Sequence, residues 1–265
     1  MMASATMARP SLTSNDTAVL QALFDAESSP SSGVTIDPRL PSWPATVLIS
    51  HDDLGTLKTL EVEIVRELQP DKNPSVESVQ DAVHKLDSIV QRYPSYPSAY
   101  TNRAQTLRML VDLQSNEISN TNANEGSLDT LFTPEATDLV TRIFNDLSQA
   151  IDLVKPISPV NPVSPVQARL LADAYTHRGY IVLKAARIKK NHNNGDSEID
   201  NLNVGPQRLW GFEADQLEEM ASRDFFLGGQ YGNKVAQQLA VQTNPYAKMC
   251  GAIVKEALRK EMTGS

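Results

Sequence analysis

Along most of this chain the apolar residues recur every three or four positions, and the runs stop where prolines or polar clusters intervene. Val19, Leu20, Leu23 and Phe24 follow Asn15 and Asp16, two residues suited to accept the free amides of a helix start, and predict a short amphipathic helix. Between 28 and 44, Pro30, Pro38, Pro41 and Pro44 stand among Ser and Gly, which reads as a linker. Asp52 and Asp53 then open a helix carrying Leu57, Leu60, Ile64 and Leu68 on one face, ending before Pro70. A partner follows over 76–93, with Val79, Ala82, Val83, Leu86, Ile89 and Val90 at helical spacing and Pro94 as the stop. These two helices predict a hairpin.

The same periodicity predicts a second pair over 98–113 and 137–154 and a third over 167–190 and 212–227. Polar stretches split both pairs, at 115–133 and 191–211, and both are long for a helix–helix connection. The proline-rich segment 156–165 separates the second pair from the third. Helices over 233–242 and 245–260 are read as a C-terminal cap spanning 233–262. No sustained alternation of strand type occurs, so the expected class is all-α. The expected division is 1–50 as N-terminal helix and linker, and 51–265 as the helical body with its two insertions.

Composition narrows the function classes. With 32 acidic and 24 basic residues among 265, the formal charge is −8, which disfavours phosphate backbones and anionic lipid as partners. The one cysteine, Cys250, excludes an intramolecular disulfide and, with the lack of a signal-peptide core or long apolar run, points to the cytoplasm or nucleus. Neither nucleic acid nor a membrane is expected as a partner.

The three pairs can be aligned on small and apolar positions. Ala99-Tyr100-Thr101-Asn102-Arg103-Ala104 reaching Leu107 corresponds to Ala174-Tyr175-Thr176-His177-Arg178-Gly179 reaching Val182. In the second helices, Ala82, Leu86 and Ile89 correspond to Ile143, Leu147 and Ala150 and to Ala221, Phe225 and Gly228. That order of residues, with Pro94 at a repeat end, resembles the tetratricopeptide repeat. The stretch Asn15-Asp16-Thr17-Ala18-Val19-Leu20-Gln21-Ala22-Leu23-Phe24, the stretch Asn244-Pro245-Tyr246-Ala247-Lys248-Met249-Cys250, and Ala221-Ser222-Arg223-Asp224-Phe225 further resemble the subfamily called tetratricopeptide repeat protein 36. The insertions depart from its compact pattern. The resemblance implies three helix hairpins in a right-handed solenoid, a non-enzymatic adaptor without cofactor, and a supporting role in tyrosine breakdown, since vertebrate members are associated with its hydroxyphenylpyruvate dioxygenase step.

In such a stack the first helices line a concave groove, the usual place for a peptide or partner segment. The expected groove residues are Thr101, Asn102, Gln105 and Met109 from the second pair and Thr176, His177, Tyr180 and Lys184 from the third. Asn102 offers a donor and an acceptor to a ligand backbone, and Tyr180 a large amphipathic contact. A co-chaperone-like adaptor is the alternative, but Glu61, Asp173 and His177 stand where the cations of a carboxylate clamp would be needed. Arg103 and Arg178 sit one step off the groove and are read as pairing with carboxylates between helices.

No catalytic or metal residues are predicted. His51, His84, His177 and His192 share no helix turn, the glycines at 228, 229 and 232 lack the context of a phosphate loop, and Cys250 has no neighbouring base. A site assembled across the second insertion, from His192, Asp196, Glu198 and Asp200, is the competing enzyme or metal-protein reading.

Overall fold

The computed structural model describes residues 34–69, 72–119, 130–193 and 204–244. The chain divides into two units, 1–33 and 34–265, and every described residue belongs to the second. The predicted helix after Asn15, the cap over 245–260 and the middle of both insertions lie outside the described residues.

Among the described residues the protein is all-α: α1 (His51–Glu67), α2 (Val76–Arg92), α3 (Pro97–Ser119), α4 (Thr137–Val154), α5 (Pro165–Asn193), α6 (Ala214–Gln230) and α7 (Lys234–Thr243). Local chemistry sets their ends. Ser50 accepts from the Asp53 amide at 3.1 Å and starts α1, and Ser75 does the same for α2 through the Ser78 amide. At α5, Ser164 Oγ accepts from the Gln167 amide at 3.1 Å while Gln167 Oε1 accepts from the Ser164 amide, with Pro165 at the first helical position. Each cap stabilises its helix by about 1 kcal/mol.

Each helix packs on the next in sequence, and α1 also touches α3, as α3 touches α5. The aligned positions are those that reach the core: Ala99, Ala104, Leu107, Ile143, Leu147, Ala150, Ala174, Val182, Ala221 and Phe225 are all at most 2% exposed. Gly179 shows why its position is small. A Cβ there would lie 3.0 Å from the Phe225 ring and 3.2 Å from Asp224 Cβ, so α5 and α6 close to a distance that a larger side chain forbids.

The two recurring arginines occupy equivalent places. Arg103 grips Asp146 of α4 with Nε at 2.8 Å and Nη2 at 2.6 Å, while its Nη1 donates to Asp87 of α2 at 2.7 Å. Arg178 grips Asp224 of α6 with Nε at 2.8 Å and Nη2 at 2.7 Å, and its Nη1 reaches Ser148 of α4 at 3.4 Å. Each guanidinium thus joins its own helix to the helix that follows it and to the helix that precedes it. Each also lies against an equivalent tyrosine, Tyr100 at 5.6 Å and Tyr175 at 5.4 Å.

The proline-bearing segment before α1 is not a free tether where it is described. From residue 34 to Ser50 it straps across the helices without a helix of its own. The Asp37 amide donates to Val163 O and the Val163 amide to Thr35 O, each at 2.9 Å, making one isolated parallel bridge between Ile36 and Val163. Ser164 Oγ donates to Ser42 O, and Trp43 is buried edge-on against Tyr96.

The insertions also return to the core at their ends. Inside the segment expected as the first insertion, Leu131 and Phe132 are buried in a short 3-10 turn, and inside that expected as the second, Val204 and Leu209 are buried. Gly205, at φ +78°, lies under the Phe132 ring, where a Cβ would approach to 2.4 Å. Lys189 Nζ donates to Trp210 O at 2.6 Å and also to Phe212 O, holding the second insertion's end to α5.

Candidate functional site

Helices α1, α3 and α5 adjoin through their side chains. Between α1 and α3 the bridge is Glu61, whose carboxylate accepts from Tyr96 Oη at 2.7 Å, Ser98 Oγ at 2.9 Å and Asn102 Nδ2 at 2.8 Å. Burial pushes the Glu61 pKa above the usual carboxylate range, against the pull of these three donors. Tyr96 is pushed well up by its own burial and by the adjacent carboxylate. A carboxylate-terminated tail entering here would meet Glu61 rather than a cation, so the site lacks the charge that a carboxylate clamp needs.

Between α3 and α5 the meeting point is His177 with Arg108 and Asp112. Burial, with help from the Arg108 charge and against that of Asp112, lowers the His177 pKa to about 4, so the imidazole is neutral at physiological pH. Arg108 Nε contacts both oxygens of Asp112 at 3.1 and 3.0 Å, and Thr130 Oγ1 donates to Asp112 Oδ1 at 2.9 Å. Further along α5, burial raises the Asp173 pKa, opposed by Arg169 and by a hydrogen bond from Asn233 at the start of α7.

The predicted groove residues fall into two groups. Thr101 and Thr176 turn their hydroxyls onto Ser98 O and Ala172 O, and Thr176 is buried, so they serve their own helices. Asn102 is half-buried and spends one of its two amide N–H donors on Glu61, so its side chain is oriented by α1 rather than free. Gln105 is exposed, Met109 is half-buried against the core, His177 and Lys184 are half-buried, and Tyr180 is 39% exposed with its ring edge-on to Phe225 at 5.4 Å. Of the expected residues, Gln105, Met109, His177 and Tyr180 keep side-chain surface at this face that is not turned back onto their own helix.

Sequence reasoning missed two contributions to this face. Arg108 and Asp112 flank His177, and their spacing of four on α3 was the available signal. Val62 and Val65, 54% and 42% exposed, lie on the flank of α1 beside Glu61, where helical spacing places them with Lys58.

Among the described residues no group of three or more His, Cys, Asp or Glu side chains could hold a metal ion. Asp196, Glu198 and Asp200 lie outside the described residues. Among the described residues no helix is long and apolar enough to cross a membrane.

No family model matches the chain, and no solved structure matches it. A curated relative, the L-tyrosine degradation gene cluster protein hmgX of Aspergillus fumigatus, is 56% identical over 256 residues, covering 97% of this chain and 95% of that protein. Identity at that level, sustained over nearly the full length of both proteins, places this all-α chain in one family with the L-tyrosine degradation gene cluster protein hmgX.

Proposed function

We propose that this chain is a non-enzymatic cytoplasmic adaptor of tetratricopeptide type, in which stacked helix hairpins present α1, α3 and α5 to a peptide or partner segment, in support of L-tyrosine degradation. The observation that carries the reading is the recurrence of the arginine tie. Arg103 and Arg178 each clamp their own hairpin and reach back to the preceding one, which is what stacked copies of one unit require. Contacts of α1 with α3 and of α3 with α5 agree with that stacking. The relative's name supports the process, and the exposed Gln105 and Tyr180 beside half-buried His177 and Met109 support the face.

The test is affinity capture with the full chain, read by quantitative mass spectrometry, from cells degrading L-tyrosine. Gln105→Ala with Tyr180→Ala should weaken capture of the specific partner about tenfold or more, with helicity unchanged and the melting temperature lowered only by loss of the Tyr180–Phe225 edge contact. Undiminished capture in that variant, with loss on deleting 14–26 or the insertions, would move the contact surface away from these helices.

A further inference from the structure

Although only eight residues separate them in sequence, α1 and α2 pack less extensively than any other consecutive helices among the described residues. Their ends are tied by polar links: Tyr93 Oη donates to Asp53 Oδ1 at 2.9 Å, and Lys85 Nζ to Glu67 Oε2 at 3.2 Å. Between the ties the helices part around a slot of about 540 Å³. Leu57, Ile64 and Ile89 line its base but are at most 7% exposed, and Leu60, 42% exposed, is the apolar side chain left uncovered at its mouth. An apolar side chain left so uncovered forfeits burial and dispersion contacts that a partner surface would restore.

The charges around the slot are segregated. The α1 rim carries Asp53, Glu63 and Glu67, and the α2 rim carries Lys85 and Arg92, with Lys85 also held at 2.9 Å by Asp81 of its own helix. A chain of net charge −8 repels a copy of itself over most of its surface, so self-association needs a patch where unlike charges meet. A two-fold axis through this slot meets that need: the acidic rim of one copy faces the basic rim of the other, twice, and Leu60 of each enters the slot of its partner. Two 17-residue helices are about 25 Å long, so the paired faces would bury roughly 1,000 Å² in total, the lower bound for a specific interface. The geometry points to a second copy of this chain as the occupant of the α1–α2 slot, giving a symmetric, salt-sensitive dimer. It is separate from the face of α1, α3 and α5, and either assignment can fail without the other.

Sedimentation velocity of the full chain from about 1 to 100 µM tests it. The expected mass at the upper end is twice the 29.1 kDa of the chain, with association weakening between about 0.05 and 0.5 M salt. Leu60→Glu should weaken association about tenfold or more while circular dichroism and melting stay unchanged. Lys85→Glu with Arg92→Glu, and separately Glu63→Lys with Glu67→Lys, should each abolish self-association, yet an equimolar mixture of the two variants should dimerise. A wild-type chain that stays monomeric throughout, a dimer indifferent to Leu60→Glu, or a mixture that fails to pair overturns the assignment. So does a monomer that binds a synthetic peptide of residues 245–262 in a manner abolished by Leu60→Glu, which would give the slot to the chain's own C-terminal segment.

Discussion

Replacing Arg178 by Met removes the cation but keeps much of the side-chain volume, and its consequence can be worked from the structure. The Asp224 side chain is 8% exposed and both of its oxygens are held by Arg178, at 2.8 and 2.7 Å. Without the guanidinium the carboxylate is buried and unpaired, which costs about 3 to 5 kcal/mol. For a protein of this size that lowers the melting temperature by roughly 6 to 20 °C. The loss also acquires a pH signature. Burial already pushes the Asp224 pKa up, and Arg178 is the first of the groups that oppose the rise, so its removal raises the folded-state value further. A group with a raised folded pKa favours folding at low pH and loses that contribution as pH rises through the folded value. Arg178→Met should therefore lie closer to wild type at pH 5 than at pH 7.5. Adding Asp224→Leu removes the orphaned charge and should recover most of the loss and flatten the pH dependence. Thermal melts by circular dichroism at the two pH values decide the matter. A single-variant cost below about 1 kcal/mol, or a double variant no better than the single, would refute the claim that this ion pair is a desolvated unit.

Gly179→Leu should cost about 1 to 3 kcal/mol by forcing α5 from Phe225 and Asp224, whereas exposed Lys190→Leu should change stability by less than about 0.5 kcal/mol; chemical denaturation compares them. His177 should titrate near pH 4 by proton NMR, and its depressed value means that stability falls as pH drops from its ordinary 6.5 toward about 4. His177→Phe should remove that part of the pH dependence, and an imidazole titrating near 6.5 would contradict the burial. Trp43→Ala should cost about 3 kcal/mol and open 34–50 to limited proteolysis; undiminished stability would mean that the strap contributes nothing to the body.

Helices were legible because their apolar period is local: α1 to α7 begin and end within a few residues of the positions where caps, prolines and spacing put them, except that α3 runs to Ser119, six residues past the expected end at 113 and into the segment expected as a polar insertion. The arginine ties were legible for a different reason. Arg103 and Arg178 recur one step from the small residues Ala104 and Gly179, which fixes both in the same place between helices. What escaped was set by partners remote in sequence. Asn102 reads as a free contact residue until Glu61, 41 positions earlier, takes its amide. The segment 34–50 reads as a tether because prolines break helices, and nothing local reveals that Trp43 is buried on Tyr96 or that Ile36 meets Val163. Polar composition likewise concealed the ends of the insertions, although Leu131, Phe132 and Leu209 were apolar residues waiting for a place in the core.

The strap bears on the order in which the molecule assembles. Ser42 and Ser164 are 122 positions apart, and the Ile36–Val163 bridge spans a similar distance, whereas the helices find their neighbours close by in the chain. A long loop must surrender its closure entropy before such a contact repays it. During synthesis from the N-terminus, α1 to α4 leave the ribosome before Val163 exists to receive the strap. Helices of low contact order can form early and Trp43 can settle on Tyr96, while the stretch 35–42 waits for Val163 and Ser164 and docks last. The same reasoning run backwards makes the strap the first segment to detach under mild destabilisation, with hydrogen-exchange protection at the Asp37 and Val163 amides below that of the helix cores.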